Sequence, residues 1–253
     1  MLYQRLIVCL DVAGGRVVKG VGFGSLRDIG DPVALATRYE REGADEIVYL
    51  DINASAEGRE TLVDLIRRTA EELFIPLTVG GGVRTVEDIR RNLMAGADKV
   101  SLNSAAVARP ELLTEAADRF GAQCVVASID VRREGDAWRV YTHGGRNSTG
   151  LDALEWATEC AARGAGEILL TSIDRDGTRR GYDIELTRAV AACVSVPVVA
   201  SGGAGSEDDV VQVLREGHAD AALVAGLLHD GVTTVGALKQ RMAEQNVRVR
   251  AVA

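Results

Sequence analysis

GADEIVYLD at residues 43–51 and GAGEILLTS at residues 164–172 decide how this chain folds. Each is a glycine followed by a short apolar, β-branched run, and the two lie 121 residues apart in a chain of 253 (43 against 164). The same offset carries the glycine turn TVGGGV, through Gly81-Gly82, onto ASGGAG, through Gly202-Gly203. Asp11 and Asp130, each ending an apolar run, are related by nearly the same shift. A repeat of this length is a duplicated half-domain, and it predicts a pseudo-twofold axis in the folded protein.

Working outward from these copies, short apolar runs alternate with longer stretches whose apolar residues recur at three and four. That is the pattern of repeated βα units and a parallel sheet covered on both faces. Eight strands are expected, near residues 5–11, 45–51, 75–80, 98–103, 123–130, 166–172, 196–201 and 220–225. Helices between them begin at caps, Asp31 with Pro32, Thr85 with Asp88 and Ser206 with Asp209, and end before Gly43, Gly96, Gly164 and Gly217. The length suits one barrel and no linker divides the chain. The expected fold is therefore α/β: a single (β/α)8 TIM barrel over residues 1–253, with a twofold internal half-barrel duplication.

Bulk properties narrow the function. A formal charge of −8 argues against nucleic acid as a partner, because binding the phosphate backbone needs clustered Lys and Arg. The apolar runs are strand-length, too short for a membrane span, and the N-terminus enters a strand at once, so a cytoplasmic location is expected. Cys9, Cys124, Cys160 and Cys193 form no metal-type spacing, and His143, His218 and His229 form no HExxH-type array. Neither a metal site nor a cofactor is expected. Only Lys19, Lys99 and Lys239 are lysines among 29 basic residues, which hints at specific uses for a compact ammonium.

Barrels place their sites at the C-terminal ends of the strands. There the sequence offers Asp11, Asp51, Gly80-Gly81-Gly82, Asn103-Ser104, Asp130, Thr171-Ser172, Ser201-Gly202-Gly203 and Ala225-Gly226. Glycines before a helix N-terminus expose backbone N–H groups that can cradle a phosphate, although such turns also serve simply to connect strand and helix. Two symmetric sets, after strands 3 and 4 and after strands 7 and 8, favour phosphate binding, and Asp176-Gly177 supplies a further turn after strand 6. The sets face each other across a ring on the order of 15 Å wide. Two phosphates so spaced belong to one elongated molecule, with Asp11 and Asp130 opposed at its middle as a general acid/base pair. An aspartate ending a strand also caps turns; it is the symmetric pairing that favours catalysis. Lys19, in the loop GGRVVKGVGF after strand 1, either folds over the site or is a solvated loop lysine. Asp51 beside Asp11 is placed to hold hydroxyls or tune its neighbour's pKa.

CLDVAGGRVVKG, TVGGGV, ADKVSLNSAA, SID at Asp130, YTHGGRNSTG, GAGEILLTSIDRDGTRRGYD and ASGGAG together closely resemble the cyclase subunits of imidazole glycerol phosphate synthase, over nearly the whole chain. The resemblance implies a step of histidine biosynthesis. Ammonia and a bis-phosphate ribulosyl-formimino-aminoimidazole-carboxamide nucleotide become imidazole glycerol phosphate and aminoimidazole carboxamide ribotide. It implies Asp11 and Asp130 as the acid/base pair. Lys19, Asp51, Gly81, Gly82, Asn103, Ser104, Thr171, Asp176, Gly177, Ser201, Gly202, Gly203, Ala225 and Gly226 fall at its substrate and phosphate contacts. It also implies a glutaminase partner docked on the N-terminal face, ammonia crossing the barrel interior, and a charged gate of Arg5, Glu46, Lys99 and Glu167. Such a ring is equally a salt-bridged plug. Two positions depart from the family: Gly226, in ALVAGLLHDG, where a serine and then an aromatic are usual, and Ser128, where an apolar residue is usual. The sister barrel that isomerises the preceding sugar, and a non-catalytic phosphate-binding scaffold, are the alternative readings.

Overall fold

A computed structural model describes residues 3–21, 25–52 and 56–251. In chain order the first half contains β1 (Arg5–Ala13), β2 (Arg16–Val21), β3 (Ser25–Gly30), α1 (Pro32–Arg41), β4 (Glu46–Asp51), α2 (Ala56–Ala70), β5 (Leu77–Gly80), α3 (Val86–Met94) and β6 (Lys99–Leu102). There follow α4 (Ser104–Ala108), α5 (Glu111–Phe120), β7 (Val125–Glu134), β8 (Ala137–Thr142), β9 (Asn147–Asp152), α6 (Ala153–Ala162) and β10 (Glu167–Ser172). The chain closes with α7 (Ile184–Cys193), β11 (Val198–Ser201), α8 (Glu207–Arg215), β12 (Ala221–Val224), α9 (Gly226–His229) and α10 (Val235–Glu244).

Eight of these strands, β1, β4, β5, β6, β7, β10, β11 and β12, pair in parallel in that order, and β12 pairs back onto β1. The sheet is a closed (β/α)8 barrel with no free edge among its staves. All eight expected strands are present. Two continue past the barrel rim: β1 turns into an antiparallel arm with β2 and β3, and β7, four staves away, into a second with β8 and β9. The segment carrying Lys19 is thus a strand rather than the loop expected after strand 1. The turn Gly14-Gly15 has φ of 56° and 76°, which joins two strands with their native twist and which side-chain-bearing residues resist. Residues 22–24, which include the last two of GGRVVKGVGF, lie outside the described residues.

Successive side chains of a strand point to opposite faces, and this period sorts each stave. In β1, Leu6, Val8, Leu10 and Val12 join the core under the helices, while Ile7 and Cys9 pack inside the barrel with Val48, Val126, Leu169, Val199, Ala221 and Leu223. Arg5 and Asp11 share that inward phase. One strand therefore carries a charge at the barrel floor, an apolar middle and a carboxylate at the mouth, about 20 Å from end to end.

The duplication is visible in the connections. Thr85 with Asp88 and Ser206 with Asp209, one offset apart, form complete capping boxes, and Asp31 caps α1 by accepting from the Ala34 N–H at 3.0 Å. Gly81 and Gly202, also one offset apart, have φ of 91° and 90°. A Cβ on Gly81 would lie 2.1 Å from the Asp51 carbonyl oxygen, and one on Gly202 would lie 2.8 Å from that of Ser172. The symmetry breaks after α8: Gly217 follows the helix as expected, but His218 takes the left-handed conformation, φ 57°.

Candidate active site

At the mouth, Asp11 and Asp130 end the inward faces of β1 and β7, staves four apart in a ring of eight and hence on opposite sides. Cys9, one inward position below Asp11, offers its thiol to Asp11 Oδ1 at 3.7 Å; Asn103 Nδ2 donates to Asp130 Oδ2 at 2.9 Å. Burial raises the pKa of each carboxyl to about 6, and the carboxylate of Asp176, reaching both from the turn after β10, pushes in the same direction. Asp176, an exposed residue of that turn, has the pKa of its carboxyl raised by partial desolvation, though the Gly177 N–H opposes this by donating to it. These two bonds are weak answers to the desolvation of an ionised carboxyl, and no ion pair to Asp11 or Asp130 occurs among the described residues. Two carboxyls with pKa near 6 can each hold or release a proton close to neutral pH, which general acid/base work needs.

Asp11 lines a cavity of about 410 Å³ together with Lys19, Asp176, Gly177, Ser201, Gly202, Gly203, Ala225 and Gly226, so nine expected site residues meet there. Asp130, Thr171 and Ser201 lie side by side in the sheet register, β7 to β10 to β11, which continues the site around the rim toward Asn103. The Asn103 side-chain oxygen is buried without a hydrogen-bond partner among the described residues. Gly81 and Gly82 face a different, small pocket between α2 and α3, not the main cavity. The Ser104 hydroxyl accepts from the His143 N–H at 3.0 Å and thereby ties the β8–β9 turn to the rim. Asp51 ends β4 beside Val12.

Gly81 and Gly202 cannot carry a side chain for a reason internal to the turn, namely the backbone carbonyl in their way. The glycines alone therefore do not require a ligand. What favours one is the company they keep: Gly202, Gly203 and Gly226 border the same cavity as a lysine, and Lys19 Nζ lies 3.2 Å from where a Cβ of Gly226 would sit.

Several participants were not anticipated. Arg27, on β3 directly across from Lys19 in the register, and Arg179, in the β10–α7 connection, join Lys19 in ion pairs with Asp230, just after α9. His229 Nε2 lies 3.0 Å from the Cys9 carbonyl and its Nδ1 2.9 Å from the Tyr39 hydroxyl. A carbonyl only accepts, so Nε2 carries the proton and Nδ1 accepts from Tyr39; burial, which lowers the His229 pKa, keeps the ring in this neutral form. Spacing of like residue types could not reveal these contacts, since most link segments 190 to 220 residues apart and Arg179 lies 51 residues from Asp230. The phase of β2 and β3 would have paired Lys19 with Arg27 had the arm been recognised.

At the floor, Arg5, Glu46, Lys99 and Glu167 form a closed ring of alternating charge. Arg5 reaches Glu46 at 3.0 Å and also pairs with Glu167, while Lys99 reaches Glu46 at 2.8 Å and Glu167 at 2.9 Å. Thr78 also donates to Glu46, at 2.5 Å. For Glu167 burial acts to raise the pKa, but Arg5 and Lys99 outweigh it and hold the carboxyl below its ordinary value. Among the described residues no group of His, Cys, Asp and Glu is arranged to hold a metal, and no helix is long and apolar enough to cross a membrane.

Residues 5–234 match the model of a family described as histidine biosynthesis protein. The imidazole glycerol phosphate synthase subunit HisF of Myxococcus xanthus (strain DK1622) is 70% identical over 250 residues, covering 99% of both chains. The subunit of the same name from Synechococcus sp. (strain CC9605) is 61% identical over 255 residues, covering 99% of this chain and 100% of the relative.

Proposed function

This chain belongs to the histidine biosynthesis protein family as an enzyme of the HisF type, the cyclase subunit of imidazole glycerol phosphate synthase, and on that premise we propose how its residues divide the work. Asp11 and Asp130 are the acid/base pair that moves protons as ammonia adds to the bis-phosphate nucleotide, the imidazole ring closes and aminoimidazole carboxamide ribotide departs. The observation that carries this is the pair itself: two opposed, half-buried carboxyls whose pKa values of about 6 leave each able to donate or accept. Burial raises both values first, and the charge of Asp176 adds to the shift.

One phosphate lies against Gly202, Gly203, Ala225 and Gly226 with Lys19 above it, backbone N–H groups replacing the hydroxyl that the family usually supplies at position 226. The other lies on the symmetry-related side, near Gly82, Asn103 and Ser104; the unpartnered Asn103 oxygen awaits a hydroxyl or N–H of the substrate, since a phosphate dianion only accepts. Asp51 and Thr171 hold hydroxyls between them.

Ammonia enters from the floor, produced by a glutaminase subunit docked on the N-terminal face. Above the ring of Arg5, Glu46, Lys99 and Glu167 the interior is lined by Ile7, Val48, Val126, Leu169 and Val199, a surface that accepts neutral ammonia and rejects ammonium for its desolvation cost. Beside the ring, Tyr3 is 68% and Phe74 93% exposed, both on a largely apolar hollow of about 580 Å³ that suits an aromatic-anchored partner.

The test is an assay of the isolated chain with an ammonium salt as nitrogen donor. Production of imidazole glycerol phosphate, with no isomerisation of the preceding sugar nucleotide, is expected; isomerase activity alone would overturn the reading.

A further inference from the structure

Three cations from three separate segments converge on one carboxylate at the rim. Lys19 of β2 and Arg179 of the β10–α7 connection pair with Asp230 Oδ2, and Arg27 of β3 pairs with Oδ1 at 2.6 Å. Lys19 and Arg27 are register partners across two antiparallel strands, an arrangement that repels unless an anion sits between the charges. Arg179 is held with φ of 57°, a conformation that side-chain-bearing residues adopt only when their surroundings require it. The Asp230 carboxyl, drawn down to about 2 first by its bond to Lys19, stays ionised at any working pH. Lys19 and Arg179 also border the cavity that contains Asp11, and Lys19 lies against Gly226.

We propose that Asp230 is a positioning residue that gathers Lys19, Arg27 and Arg179 at the rim of the cavity, so that the arm and the β10–α7 connection meet the substrate's phosphate as one preassembled cationic site. One carboxylate among three cations leaves a net charge of two positive, the complement of a phosphate dianion. Without Asp230 the three cations repel one another and the arm loses its anchor to the rim; with it, their ordering is complete before the substrate arrives, and binding no longer bears that cost. The proposal rests on the phosphate end assigned above to Gly202, Gly203 and Gly226. It accounts for a carboxylate immediately after the short helix α9, in the segment LLHDG.

The experiment compares wild type, Asp230→Asn and Asp230→Glu in steady-state turnover with an ammonium salt, and measures competition by inorganic phosphate at low ionic strength, where such pairs are least screened. Asp230→Asn is expected to raise KM for the bis-phosphate nucleotide and the inhibition constant of inorganic phosphate together, by roughly three- to tenfold, as suits three partly exposed ion pairs. It lowers kcat far less, and Asp230→Glu restores most of both constants. Arg179→Met raises KM in wild type and adds little in the Asp230→Asn background, a coupling that general destabilisation would not produce. An unchanged or lower KM in a folded Asp230→Asn protein, or equal effects of Arg179→Met in both backgrounds, overturns the proposal. If inorganic phosphate fails to compete even in wild type, it is the phosphate assignment that fails.

Discussion

The two ends of the barrel bury carboxylates in opposite ways. At the floor, Glu46 and Glu167 are 2% and 6% exposed, and each is answered by both Arg5 and Lys99. At the mouth, Asp11 and Asp130 receive one thiol and one amide, with the like charge of Asp176 nearby. The same residue chemistry is thus settled at one end and left unsettled at the other, on strands that run directly between them. A protein arranged for stability alone would pair both ends. Energy is given up at the mouth, where charge has to move, and the paired floor holds the staves in register beneath it.

The sharpest way to break the comparison is to neutralise the mouth. Asp130→Asn, and separately Asp11→Asn, should cut turnover with ammonium salt by roughly 10²- to 10⁴-fold, the range for loss of a general acid or base, while competition by inorganic phosphate is kept. Retained turnover in both variants would reduce the pair to a structural role. At the floor the corresponding change should act on folding. Glu167→Gln leaves Arg5 and Lys99 short of a buried partner, and should lower unfolding free energy by about 3 kcal/mol in urea titrations near pH 7. Glu167 is a depressed carboxyl, so its contribution is present above the ordinary glutamate range and fades as pH falls through its lowered native value. The deficit of the variant should therefore shrink in acid.

For Asp11 the sign reverses. Its native value of about 6 lies above the ordinary 3.8, so whatever stability it confers is complete below about 4 and is lost as pH rises through about 6. At pH 8 the ionised group is a burden on the order of 2 to 3 kcal/mol, two pH units at 1.36 kcal/mol each. Asp11→Asn should unfold at higher urea than wild type at pH 8, with the gap closing near pH 4. A gap independent of pH would show that burial at the mouth is not what shifts this carboxyl.

How much of this was written in the sequence follows from what each feature depends on. The staves and capping boxes rest on local periodicity and short spacings, and the repeat of GADEIVYLD in GAGEILLTS marks the duplication, so the barrel and the aspartate pair could be placed from the residues, whereas the floor ring is implied only by the resemblance to the cyclase subunits. From sequence the arm containing Lys19 reads as a loop, because Gly14-Gly15 marks a hairpin only where the flanking residues are already known to pair. The cluster at Asp230 was illegible for a different reason. Its members come from β2, β3, the β10–α7 connection and the end of α9, and nothing within any of these segments signals the others. Nor does a glycine signature separate steric need from ligand binding: Gly81 is excluded from bearing a side chain by the Asp51 carbonyl, whether or not a phosphate ever lies near it.

The smallest effect concerns what sets the mouth apart beyond burial. Burial is the leading cause of the raised values of Asp11 and Asp130, and the charge of Asp176 is a lesser one acting on both. The acid limb of the kcat/KM profile, measured with saturating ammonium salt, should break near pH 6, because the base of the pair must be ionised in the free enzyme. A substrate phosphate also titrates near 6, so the position of the break is ambiguous by itself. Asp176→Asn resolves it: removing that charge leaves the phosphate untouched but allows the pair to ionise at lower pH. The acid limb should move down, by less than the full distance to an ordinary carboxylate because burial persists. A limb that stays fixed in Asp176→Asn would show that it does not report an aspartate pair under the influence of that charge.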